Sequence, residues 1–350
     1  MNKRFFITAI LLFFLISGYA QTRITTGVSQ GKDYGIVYTL PKTTLEIEVN
    51  TKKETFIPGE FSKYAERYLH QTEVTTEKRE EWMIQSVTVR SVGIPDKDKT
   101  YFVKMHDRSV APLMELSKEG VVVSINCPFS PQIQEKKESV PTKPLPNPRD
   151  YLTEEILLAN STAKMAELVA QEIYNIRESR NTLLRGQADY MPQDGEQLKL
   201  MLNKLEEQEN ALTRMFSGEN KVEAKKFTIR IDPTEEFDQK VAFRFSKKLG
   251  VVDSDDLAGE PIYIKLTDLK SIPITDADGK TKNGVAYNVP GKGQVVLTYL
   301  GKELVNTDLP ITQFGITEYL AATLFNRKST IQVQFNPDTG GIIKVDRQEH

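Results

Sequence analysis

The sequence predicts an α+β protein: two β-rich, sandwich-like modules flank a long antiparallel helical hairpin. Three observations carry this expectation. Apolar residues recur at steps of three and four between Tyr151 and Gly218, the period of a helix face. Alternating apolar residues fill the chain on either side, the period of half-buried strands. Short echoes also link the two flanks, which suggests related units.

The chain opens with Lys3 and Arg4, an apolar run Phe5–Ile16, and then Ser17-Gly18-Tyr19-Ala20. This is the grammar of a secretory signal peptide over residues 1–20, cut before Gln21. The run is too short for a permanent bilayer span, and no later stretch is apolar enough for one, so the mature chain is expected to be exported, to periplasm or medium. Removing two basic residues takes the formal charge from −2 to −4, which gives nucleic acid no basic footprint. The lone Cys127 has no internal disulfide partner and follows the apolar run Val121–Ile125, so it reads as a small buried residue.

The N-terminal β-rich module is expected over 21–127. Ile36, Tyr38 and Leu40, then Leu45, Ile47 and Val49, alternate around Pro41, which reads as strand, turn, strand. Pro58-Gly59 is a turn, and Phe61–Leu69 fits a short amphipathic helix. Strands follow at Met83–Arg90, Tyr101–Met105 and Val121–Ile125, the first two separated by Pro95–Asp98. Six of the 17 prolines then fall between 128 and 148, which predicts an extended linker over 128–150.

In the hairpin, 151–218, the first helix carries Ile156, Ala159, Ala163, Ala166, Ala170 and Ile173, continues through Arg177 and Arg180 to Leu184, and stops at Gly186. The second starts at Asp194, with Gln197 three residues on, shows Leu198, Leu202, Leu205, Leu212 and Phe216, and ends at Gly218. At 1.5 Å per residue the helices should be about 50 Å and about 35 Å long, folded back at Gln187–Gln193. The C-terminal module, 219–350, has strands at Phe227–Ile231, Val241–Phe245, Ile262–Leu266, Val285–Val289, Val295–Tyr299, Ile331–Phe335 and Ile342–Val345. Turns fall at Asp276–Gly279 and Asn336–Gly341.

Gly35–Pro41 matches Gly284–Pro290, and Leu116–Val122 echoes Phe245–Val252. A third echo sets Tyr68-Leu69 against Tyr319-Leu320. Together they point to an internal repeat, degenerate and with permuted order.

No motif assembles a catalytic site. Gly27-Val28-Ser29-Gln30-Gly31 has the nucleophile-elbow spelling but lacks a preceding strand and a following helix. Ser161-Thr162-Ala163-Lys164 lies within the first helical stretch and has no partner motifs, and Asp338-Thr339-Gly340 lacks a second copy for a carboxylate dyad. Asp276, Asp278 and Gly279 lack the rest of a calcium loop. The three histidines, His70, His106 and His350, form no metal spacing, and no phosphate loop occurs, so no cofactor is implied. Carboxylate-only chemistry leaves no sequence signature among 48 acidic residues, so a periplasmic hydrolase of glycan or peptide stays open as the alternative.

Candidate partner-binding residues are Arg177, Arg180, Tyr190 and Met191. The arginines interrupt an apolar stripe. They either pair with Glu206 or Glu209 across the hairpin or form a basic notch for an anionic partner. Tyr190-Met191-Pro192 sits at the tip, and either contacts a partner or, through Tyr190, caps the hairpin's own core.

The residues Ile176–Arg180, Leu183–Gly186, Met191-Pro192 and Gly195–Leu198, with Gly35–Pro41 and Phe243–Ser246, resemble an uncharacterised family of exported Bacteroidetes proteins of similar length. The resemblance implies export in a Gram-negative bacterium and no established activity. The expectation is therefore a non-enzymatic envelope protein that binds or scaffolds a protein or glycan, with homo-oligomerisation through the hairpin as a further possibility.

Overall fold

The computed structural model describes residues 35–104, 114–129, 145–192, 194–273, 284–321 and 331–347. The signal peptide, the Gly27–Gly31 motif, most of the proline-rich stretch, the Asp276–Gly279 turn, His106 and His350 lie outside the described residues.

The expected fold class is overturned. Among the described residues the protein is mostly β, with 51% in strands against 23% in helices, arranged in three antiparallel sheets, and no long helical hairpin stands between two β modules. Strand pairing is the reason. β1 (Gly35–Ile57) lies between β2 (Arg79–Lys104) and β5 (Glu219–Ile231), so the first sheet takes strands from both sides of the helical stretch. The third sheet does the same: β4 (Val122–Ile125) joins β3 (Met114–Leu116) to β11 (Ile331–Phe335) and β12 (Ile342–Arg347). Only the second sheet is drawn from one side, in the order β10 (Lys302–Ala321), β9 (Gly284–Tyr299), β8 (Glu260–Asp268), β6 (Phe237–Ser246), β7 (Gly250–Val252).

Alternation decides which face each strand buries. Leu45, Ile47 and Val49 of β1 are fully buried against Phe243 of β6, Ile262 and Ile264 of β8, and Val295 and Leu297 of β9, forming one core between the first two sheets. A second core joins Tyr38 and Leu40 to Ile125, Val285, Val333 and Phe335, where the third sheet covers the ends of β1 and β9.

Pro41 does not break its strand. Thr39 pairs with Thr100 and Pro41 with Pro95, so a step of two on β1 faces a step of five on β2. Proline, lacking an N–H, is accommodated at such an irregularity. β9 and β10 repeat the step: Val289 pairs with Ile316 and Gly291 with Ile311, with Pro290 between. The matching heptapeptides thus both end at the step of a long strand pair, with the step one residue later in the second. The Leu116–Val122 and Phe245–Val252 echo likewise falls on two tight β turns closing on Gly120 and Gly250, both at positive φ. The third echo does not hold, because Tyr68-Leu69 ends a helix, α1 (Ala65–Leu69), while Tyr319-Leu320 is strand.

The two hairpins meet at buried Thr43 and Thr312. Thr43 N–H donates to Thr312 Oγ1 at 2.8 Å, and Thr312 N–H donates to Thr43 Oγ1 at 3.0 Å. The β11–β12 turn wedges beside this crossing, with Gly340 against Pro41 and Gly341 against Pro290. Gly340 has φ +68, and a Cβ there would lie 2.7 Å from Pro41 Cδ.

The helical layer also departs from expectation. The first stretch is divided into a 3-10 turn at Pro148–Tyr151, α2 (Glu154–Leu157) and α3 (Thr162–Leu184). Ser161 restarts the helix as an N-cap, accepting from the Lys164 N–H at 3.2 Å. α4 (Gly195–Ser217) is capped by Asp194. Each of the two principal helices has 23 residues, about 35 Å. Their base packs Val169, Ile173, Leu212 and Phe216 on Phe61, Ala65 and Leu69.

Candidate functional site

Beyond Ile176, α3 and α4 leave this core and pack on each other, with Leu183 buried, as an arm whose end carries residues 185–192. Arg177 and Arg180 sit one helical turn apart on α3 and converge on Glu209 of α4. Arg177 Nε donates to Oε1 at 2.6 Å. Arg180 Nη1 lies 2.8 Å from Oε2, a charge pair off the line of the N–H. Glu209 is buried, and Arg177 also lies 5.5 Å from the Tyr174 ring centre. Both guanidiniums are therefore held on one carboxylate within the arm, each about a third exposed.

The tip differs. Leu184, Tyr190, Met191, Leu200 and Met201 are each between 38% and 92% exposed, Tyr190 the most. Tyr190 therefore does not cap the hairpin core. Leu184 ends α3 and Leu200 and Met201 lie in the second turn of α4, so these side chains gather at one end of the arm.

No motif in the sequence points to a second concavity. β5 is the outer strand of the first sheet and runs into β6 through 232–236, yet the two strands do not pair. Between them opens a cleft of about 810 Å³, floored by Ile231, Ala242 and Phe243 and walled by Phe227, Ile229, Val241 and Val251. Its rim carries Asp232, Asp253 and Asp255 against Arg230 and Lys240. Arg230 is bound to Glu46 at 2.8 Å, so the rim charge left over is three carboxylates against Lys240, which lies over the Phe237 ring, and its balance is acidic.

Glu46 anchors the outer face of the first sheet. Arg90 and Arg230, directly across from it on both neighbouring strands, hold its buried carboxylate below the usual range, Arg90 through the larger effect. Ser161 and Lys164, which spell a penicillin-binding motif, are a helix cap and a surface ion pair with Glu167. Asp338 accepts from the Gly93 N–H at 3.1 Å within its turn. Buried Cys127 lies 3.5 Å from the Val333 carbonyl oxygen. Among the described residues no cluster of His, Cys, Asp and Glu has a metal-binding arrangement, and no helix is long and apolar enough to cross a membrane.

No curated protein and no solved structure matches this chain. A family model does, over residues 34–343, which takes in both long hairpins, the arm and the cleft. The chain accordingly belongs to the family described as a domain of unknown function, DUF4831.

Proposed function

We propose that this is an exported, non-enzymatic protein of a Bacteroidetes cell envelope that binds a protein partner through the tip of its helical arm. The supporting observation is the cluster of exposed Leu184, Tyr190, Met191, Leu200 and Met201 at the end of an arm stiffened by the Arg177–Glu209–Arg180 contacts. Apolar and aromatic anchors of this kind suit a protein surface better than a glycan.

The test compares the mature protein with a Tyr190→Ser, Met191→Ser, Leu200→Ser variant in pull-downs from envelope extract. The reading expects a partner recovered by the first and depleted with the second. Equal recovery removes the tip from the argument. Light scattering at high micromolar concentration separates self-association from a foreign partner. N-terminal sequencing of periplasmic material should begin at Gln21, and an uncleaved cytoplasmic product would overturn export.

A further inference from the structure

We propose that the cleft between β5 and β6 is a second binding site, independent of the arm, which takes an extended basic peptide as an added β-strand. Three features converge on this occupant. β5 borders β1 on one side, and no strand pairs with its other edge among the described residues. On the open side of β6, β7 pairs at 244–246, leaving the edge of 237–243 without a strand partner. Alternate backbone N–H and C=O groups of both edges therefore lack ladder partners, and an entering strand can supply them. The cleft's volume of about 810 Å³ lies in the range of ligand-holding concavities.

Side chains select within that class. Phe227, Ile229, Val241 and Val251 offer an apolar wall for every second residue of a strand. Asp253 and Asp255 are exposed at the rim with no cation within ion-pair distance among the described residues, and Asp232 accepts from the Thr44 hydroxyl at 2.6 Å. The occupant that satisfies both is a strand alternating β-branched apolar residues with Lys or Arg.

The probe is a synthetic peptide of about eight residues alternating Val and Lys, labelled for fluorescence anisotropy. Three comparisons accompany it: the same sequence N-methylated at alternate nitrogens, a Val/Glu analogue, and an Asp253→Lys, Asp255→Lys protein. The expected result is saturable binding that weakens at least about tenfold in each comparison. It should remain unchanged in the Tyr190→Ser, Met191→Ser, Leu200→Ser protein, which separates this site from the arm. The proposal is overturned if the N-methylated peptide binds as well as the parent, because strand pairing is then absent. No binding up to about 1 mM also overturns it, as does concentration-dependent dimerisation that the peptide cannot compete, which would assign the edge to a second copy.

Discussion

Tyr38 lets the repeat be tested by removing one oxygen atom. Its hydroxyl accepts from the Ala286 N–H at 2.8 Å and donates to the Ala286 carbonyl at 3.2 Å, both in a buried setting. β8 pairs with β9 from Gly293 onward, so among the described residues no strand lies beside Ala286 on the side of β9 away from β10. The phenol takes the place of one residue of a missing strand. Tyr38→Phe preserves the ring and its stacking on Tyr101 at 5.7 Å, but leaves a buried donor and a buried acceptor without partners. At roughly 1–3 kcal/mol for each stranded group, and allowing for partial relaxation, the loss should be about 3 kcal/mol. Urea unfolding followed at 222 nm measures it, with Tyr263→Phe as the exposed control, expected within about 0.5 kcal/mol of the parent.

The same residue gives a second readout. Burial pushes the Tyr38 phenol well above its ordinary value, with the hydrogen bond to Ala286 opposing. The neutral form is thus favoured in the folded state. Its stabilisation is fully present below about pH 10, the unfolded tyrosine value, and falls as pH rises from there towards the folded value. Tyr38→Phe should therefore lose less stability than the parent between pH 9 and 11, values chosen to bracket about 10. A loss below about 0.5 kcal/mol at pH 7, with unchanged alkaline sensitivity, would refute the strand-substitute account.

Glu209→Leu strands two half-buried guanidiniums and should cost about 2 kcal/mol, whereas the triple change Arg177→Met, Arg180→Met, Glu209→Leu should recover most of it; equal losses by helix melting would show that the arm does not depend on these charges. Glu46, held low by Arg90 and Arg230, contributes stability that is present above the ordinary carboxylate range and lost as pH falls through its depressed folded value, so Glu46→Gln should flatten the fall in urea stability between neutral and mildly acid pH. Gly340→Ala forces a Cβ onto Pro41 at positive φ and should cost at least about 2 kcal/mol, whereas Gly186→Ala, with open space around it, should cost only the strain of its φ; similar thermal shifts in the two would count against the wedge.

Local elements were legible in the sequence and their partners were not. The alternation Leu45–Val49 and Ile262–Leu266 marks strands because a two-residue period needs no knowledge of the neighbour. The pairing of Leu45 with Ile231, across the whole helical stretch, is set by chain-distant packing and leaves no local trace. Pro41 was misleading for a physical reason: a proline that reads as a strand break is tolerated where the ladder already slips. Ser161 misled in the opposite direction, because apolar steps through Ala159 and Ala163 carried the helical pattern across a cap. Glu209 was within reach of counting, since two antiparallel helices fix which residues stand level. The cleft had only an indirect signal, the charge-rich start of β5 from Glu219 to Lys226, which is how open strand edges discourage self-pairing.

The arm and the sheet are mechanically one piece. α4 ends at Ser217 and β5 begins at Glu219, with Gly218 between them. Gly218 has φ +78, and an added Cβ would lie 2.5 Å from the Ile57 carbonyl oxygen. The β1–β5 ladder closes on Ile57 and Glu219 at that same point. Gly59 presses on the Met215 backbone one turn earlier, and the Phe61 N–H donates to the Met215 carbonyl at 2.7 Å. The end of β1, the turn at Gly59 and the junction of α4 with β5 therefore meet in a single close-packed corner, where larger residues have no room. α4 thus passes into β5 with its last backbone bond, from the Gly218 N–H to the Arg214 carbonyl at 2.9 Å, directly beside the first pair of the β1–β5 ladder. That corner explains how β1 and β5 stay paired although residues 58–218 separate them in the chain: Ile57 and Glu219 are held in register by the packing of Gly59 and Gly218 at the foot of α4.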